Sequence, residues 1–132
     1  MALVVDASAL AYATLAKTSG SALLRERLLG ETCHAPHLID AEFGSALRRL
    51  VHIHEVGGDE ARAELIAGPR LIDRRYAVDR RLAERAWAMR ENLTFYDALY
   101  AALASALRLP LLTADVHLAR SPGVDCAVEL VG

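Results

Sequence analysis

Four acidic side chains carry the chemistry open to this chain: Asp6, Glu42, Asp97 and Asp115. Each stands where an apolar run stops or where a helix is expected to begin. Asp6 closes Met1-Ala-Leu-Val-Val5, Glu42 follows His37-Leu-Ile, Asp97 lies within Thr94-Phe-Tyr-Asp-Ala-Leu-Tyr100, and Asp115 ends Leu111-Leu-Thr-Ala-Asp115. A carboxylate at the carboxyl end of a buried parallel strand points into the crevice where open α/β sheets bind ligands. Several carboxylates converging there make a site for a hard divalent cation, because such ions take oxygen ligands. The four are spread over nearly the whole chain, so only tertiary folding can join them.

Each acid also has a plainer reading. Asp6 can be the N-cap of the helix that follows it, a role worth about 1 kcal/mol. Glu42 lies about a turn inside its helix, on the side of Ala46 and Arg49, where a solvated face would account for it. Thr94-Phe-Tyr-Asp97 matches the capping-box pattern, in which the residue at N3 reaches back to the cap. Asp115 can start a turn and helix beside Thr113. Four such coincidences in one chain are less economical than one shared site. Asp40 is two residues from Glu42 and nearly opposite it on a helix, where it suits the helix N-terminus. His34, His37, His52 and His54 lack the spacing of zinc ligands. His117, two residues after Asp115, is close enough to the acids to count as a secondary candidate.

The elements that must position the acids follow from pattern. Leu3-Val-Val5 reads as a buried strand and Ala7 to Ala16 as a helix, with a second helix from Ser21 to Leu29 stopped by Gly30. Cys33 to Pro36 is a short strand. An amphipathic helix is expected from Leu38 to about Glu55, ended by Gly57-Gly58, and a short one capped by Asp59 runs to Ala67. Leu71-Ile72 and the residues after them are strand-like. Helices follow from Asp79 to near Asn92 and from Thr94 to Leu107. Pro110 to Thr113 is a buried strand and Ala127 to Val131 a last, edge strand. Strands alternating with helices imply the α/β class, with a parallel sheet wrapped by helices.

Bulk properties set limits. The 132 residues suit one domain, residues 1 to 132, without linker, repeat or low-complexity segment. Cys33 and Cys126 lack paired zinc spacing, the start of the chain has no signal-peptide pattern, and the longest apolar stretch is too short to span a bilayer. A cytoplasmic protein with reduced thiols and no membrane association is expected. The net charge of −2 gives no whole-molecule attraction to nucleic acid, so such binding would need a local patch. Arginine supplies 14 of the 15 cations, and its planar fork suits phosphate. Arg48, Arg49, Arg74, Arg75, Arg80 and Arg81 are the candidates, although any one of them alone reads as part of a solvated helix face.

Four stretches resemble one family: Val4-Val-Asp6-Ala-Ser8-Ala, Ala35-Pro-His-Leu-Ile-Asp-Ala-Glu42, Leu93-Thr-Phe-Tyr-Asp97-Ala-Leu-Tyr-Ala-Ala-Leu-Ala104 and Leu111-Leu-Thr113-Ala-Asp115-Val-His-Leu-Ala119. Together with the closing Ser121-Pro-Gly-Val-Asp-Cys-Ala-Val-Glu-Leu, they are similar to the PIN-domain ribonucleases, specifically the VapC toxins of type II toxin-antitoxin systems. The resemblance covers essentially the whole chain. It implies a PIN-like three-layer α/β/α sandwich with a central, mostly parallel sheet. It also implies Mg2+- or Mn2+-dependent endonucleolytic cleavage of RNA, inhibition by a cognate VapB-type antitoxin, and homodimers. Asp6, Glu42, Asp97 and Asp115 match the family's catalytic and metal-binding acids, with Asp6 and Asp97 as direct ligands and Glu42 and Asp115 completing the shell or orienting water. Ser8 and Thr113 match its hydroxyl neighbours. His117 stands where some relatives place a further acid.

Two other enzyme classes fit poorly. A haloacid-dehalogenase-type phosphatase needs a second Asp where Ser8 stands and a separate lysine, and the chain has only Lys17. A receiver domain needs adjacent acids before its phosphoacceptor and a late lysine. The alternative from a different class is a non-catalytic PIN-like module that binds RNA or protein. Retention of all four acids argues against it.

Overall fold

The computed structural model describes every residue, Met1–Gly132. Strand β1 (Ala2–Val5) leads into α1 (Ala7–Leu15) and α2 (Ser19–Gly30), then β2 (Thr32–Pro36), α3 (Leu38–His52), α4 (Gly58–Ala67) and a 3-10 turn (Gly68–Leu71). Next come β3 (Arg74–Tyr76), α5 (Arg80–Ala88), α6 (Phe95–Leu107), β4 (Leu111–Thr113), α7 (Val116–Arg120) and β5 (Val128–Leu130). All four strand pairings are parallel, in the order β3-β2-β1-β4-β5. The expected mostly parallel sheet is therefore wholly parallel.

Burial explains why the central strands form. Leu3, Val4, Val5, Leu111 and Leu112 are completely inaccessible, as near-continuous apolar runs are when helices cover both faces of a parallel sheet. Val4 pairs with both His34 and Leu111, which fixes β1 in the centre. Helices α1, α3 and α4 pack on one another, while α5 packs on α6, which itself lies against β1, β2 and β4. Every residue of α6 from Ala98 to Ala104 is buried, so this helix is enclosed between the sheet and α5. Its many alanines permit that close approach.

The order of strands creates the ligand crevice. The chain builds outward from β1 to β2 and β3, then returns across the sheet to lay β4 on the other side of β1. Adjacent strands whose connections leave in opposite directions open a cleft at their carboxyl ends. Here those ends are Val5 and Thr113, directly before Asp6 and close before Asp115.

Several boundaries differ from the pattern reading. The outer strand is Arg74–Tyr76, while Leu71 is buried in the 3-10 turn and Ile72 just beyond it, so their apolar character reflects packing of the turn. Helix α3 stops at His52, helped by His54 in the left-handed region at φ 60°, and Gly57 is the N-cap of α4, with Asp59 in that helix's first turn. Helix α2 begins at Ser19 rather than Ser21, because Thr18 and Ser21 form a capping box ahead of Gly20. Helix α5 ends at Ala88, and turns carry the chain on to Thr94.

Gly68 is required for space, since its φ of −57° is ordinary. A Cβ there would fall 2.7 Å and 2.9 Å from ring carbons of the fully buried Phe43. Gly68→Ala should therefore lose about 1–3 kcal/mol in a urea melt through overpacking. Gly30, where a Cβ meets nothing within 4 Å, should accept alanine with little change; equal midpoints for the two variants would show that the Phe43 contact relaxes freely.

Candidate active site

Asp6 is at once the N-cap of α1 and a wall of the crevice. Its Oδ1 accepts from the Ala9 N–H at 2.8 Å and from the Ser8 hydroxyl at 2.7 Å, and its Oδ2 accepts from Thr113 Oγ1. The expected cap is therefore formed, and the same carboxylate lines the crevice. The side chain is only 5% exposed, and burial raises its pKa from 3.8 to about 6 despite these donors, which pull the other way, with the charge of Asp97 adding to the rise. Oδ1 already takes two donors, which leaves Oδ2 as the oxygen with an open acceptor position.

The other acids arrive from separate elements. Glu42, on α3, accepts at Oε1 from the Tyr100 hydroxyl at 2.6 Å. Burial lifts its pKa, the Tyr100 bond opposes that, and Asp97 adds to it. Asp97 sits in the first turn of α6, where its N–H donates to Thr94 Oγ1 at 3.1 Å. The Thr94 cap forms, but Asp97 makes no return bond, and its carboxylate is left to the crevice. The pKa of Asp97 is raised by burial and by Asp115, and opposed by Thr94 and His117. Asp115 caps α7, accepting from the His117 N–H at 2.9 Å, and its own N–H donates to Thr113 Oγ1 at 3.0 Å.

All four acids line one cavity of about 480 Å³, together with Ser8, Tyr100 and Arg49. No three carboxylate, imidazole or thiol groups close to the spacing of a direct three-ligand metal site. The donor set is all oxygen and spread around the cavity wall. That arrangement fits a hydrated hard cation, which keeps several waters and uses one or two direct carboxylates, and it does not suit zinc.

Other candidates fall away or change role. Asp40 accepts from Nε and Nη2 of Arg75, at 2.6 Å and 2.9 Å, so Arg75 is committed, and Arg80 pairs with Glu84. His34 bonds and stacks with Tyr76 on the outer strands. Ser8 and Thr113 form a hydroxyl pair 3.2 Å apart around Asp6, and Ser8 Oγ also accepts from the Ala114 N–H at 2.9 Å, tying β4 to α1. Tyr100 was not among the residues singled out from the sequence. The available signal was a phenol inside the apolar, Ala- and Leu-rich run of the helix, because a buried hydroxyl needs a partner.

The PIN-domain family profile matches residues 3–123. Over 128 residues the chain is 51% identical to Ribonuclease VapC1 of Mycobacterium tuberculosis, an alignment covering 97% of this chain and 96% of that one. It is 42% identical to Ribonuclease VapC9 of the same organism, over 98% of each. The crystal structure of VapBC2 from Rickettsia felis bound to a DNA fragment from their promoter shares the fold, with a TM-score of 0.73 over 100% of both chains at 14% identity. The chain belongs to the PIN-domain family and, within it, to the VapC ribonucleases.

Two measurements test the electrostatics. Between about pH 4 and the Asp6 pKa of about 6, the folded metal-free protein holds a proton that the unfolded chain has released. Stability on that account falls as pH rises and the full penalty stands above about pH 6, at most roughly 3 kcal/mol for a shift of this size. Metal-free Asp6→Asn should melt above the wild type at about pH 8, with the gap closing by about pH 4; a variant less stable at both would mean that capping outweighs the buried charge. Tyr100→Phe removes the donor that lowers the Glu42 pKa. The acid limb of its activity profile should move to higher pH, with the melting temperature nearly unchanged.

Proposed function

We propose that this chain is a Mg2+- or Mn2+-dependent endoribonuclease, acting as the toxin of a toxin-antitoxin pair and inhibited by its antitoxin. One observation carries the catalytic part of that reading: carboxylates from four separate segments line one cavity at the topological switch point of the sheet. Asp6, through its open Oδ2, and Asp97 would hold the ion. Glu42 and Asp115 would complete the shell or orient the attacking water. When bound, the ion lowers the pKa of a water and neutralises charge developing on the scissile phosphate. Ser8 and Thr113 keep Asp6 in one rotamer, and Tyr100 does the same for Glu42. Such orientation is a large part of what an active site contributes.

Antitoxin inhibition is supported by the match to a VapBC2 toxin-antitoxin chain and by the charge of the site. A crevice lined by four carboxylates and Glu55, with only Arg49 as a cation, is a ready receptor for a partner's cationic side chain. No helix is long and apolar enough to cross a membrane.

Cleavage of a labelled single-stranded RNA should appear with Mg2+ or Mn2+, stop with EDTA, and drop at least about 100-fold in Asp6→Asn and Asp97→Asn, the scale expected when a group stabilising the transition state is removed. Coexpression with the antitoxin should give a tight, inactive complex and relieve growth arrest. RNA binding without cleavage, unchanged in Asp6→Asn, would instead establish a non-catalytic binding module.

A further inference from the structure

Beside the acidic cavity lies a second one of about 810 Å³, walled by α3 and the start of α6, and the two share Glu42, Ala46 and Arg49. Its polar lining is otherwise Ser45, Arg48, His52 and Tyr96. Ser45, Arg48 and His52 follow one another at helical spacing along α3, so they form one stripe. Arg48 and Arg49 take part in none of the chain's ion pairs, whereas Arg75 and Arg80 are neutralised by Asp40 and Glu84. The single carboxylate in this lining, Glu42, is held by Tyr100. Tyr96, next to Asp97, is 60% exposed and makes no hydrogen bond, while the comparably exposed Trp87 already carries the Arg90 guanidinium 5.0 Å from its ring. An uncovered aromatic face beside unpaired guanidinium groups, opening directly from a phosphodiester-cleaving site, matches the chemistry of single-stranded nucleic acid, in which bases stack and phosphates take cations.

We propose that this second cavity seats the single-stranded RNA segment flanking the scissile phosphate, with Arg48 and Arg49 on its backbone and Tyr96 stacked against a base. This rests on the nuclease reading of the acidic cavity. Duplex RNA keeps its bases stacked within the helix and cannot offer a face to Tyr96. The site therefore selects loops and unpaired ends, and it extends recognition to one side of the cut.

The test is binding of a fluorescein-labelled single-stranded RNA oligonucleotide, followed by anisotropy in the full-length Asp6→Asn background at fixed magnesium, with a duplex of the same sequence for comparison. Tyr96→Ala should weaken binding roughly 5- to 100-fold, as loss of one stacked base does, and Tyr96→Phe should restore it. Arg48→Gln should weaken binding and flatten the slope of log affinity against log salt by about 0.7. Arg108→Asn, at the far end of α6, should change neither. Duplex should bind more weakly, and Tyr96→Ala should not affect it. Wild-type affinity in both Tyr96→Ala and Arg48→Gln would overturn the proposal, as would sedimentation showing that these substitutions chiefly break apart a dimer, which would give the cavity to a second copy of the chain. If metal-loaded wild type cleaves RNA while these variants bind normally, only the second cavity is misassigned. If the wild type neither binds nor cleaves RNA, the nuclease reading itself fails.

Discussion

Burial of the Asp6 carboxylate at the carboxyl end of β1 is the constraint on which the rest of the site depends. A charge that is 5% exposed must be compensated, and the fold supplies a hydroxyl from the same helix turn, a backbone N–H, and a hydroxyl from β4. These donors do not fully offset the loss of hydration, since the pKa still stands near 6. The metal-free site is therefore under electrostatic stress, which Glu42, Asp97 and Asp115 in the same cavity increase. Arrangements of this kind favour a bound cation, because an ion relieves repulsion that the protein's own donors leave in place.

That constraint explains why the sheet order matters chemically. Thr113 can reach Asp6 only because β4 lies directly beside β1, and β4 is there because the chain crosses back over the sheet after β3. The same crossover buries α6 against the sheet and brings its first turn, with Asp97, to the rim. Helix α3, leaving β2 on the other face, delivers Glu42 one turn in. Each acid stands close to the start of an element whose direction is set by parallel pairing, so the site follows from topology without any specialised loop.

What could be read from residues alone follows the strength of each local signal. The central strands and α6 are unambiguous because uninterrupted apolar runs have few alternatives, and the Thr94 cap marks the start of α6 correctly. The outer strand lies within the expected strand-like stretch but starts later, at Arg74, because its polar sequence, Arg74-Arg-Tyr76, suits an edge strand. Nearby, the apolar Leu71-Ile72 imitated a strand while packing a turn. Gly57-Gly58 marked a boundary, but it begins α4, and α3 ends earlier, followed by a left-handed His54, a conformation histidine favours only weakly. In the site, the four acids were legible from position, while the Tyr100–Glu42 bond, linking residues 58 apart, exists only in three dimensions.

The acidic cavity also poses a problem for a substrate that is itself a polyanion. With a net charge of −2 the molecule exerts no general attraction on nucleic acid, and an acid-lined crevice without an ion repels phosphate. Two local devices can reverse the sign: a cation held among the carboxylates, and guanidinium groups on an adjoining wall. Arg49 belongs to both cavities and has no ion-pair partner even with five carboxylates lining the first of them. Its position marks where the field changes from the acidic interior to the basic flank of α3. On the proposed reading, a phosphate at that boundary meets the ion on one side and arginine on the other, so substrate placement and chemistry at the cut would depend on the same gradient of charge.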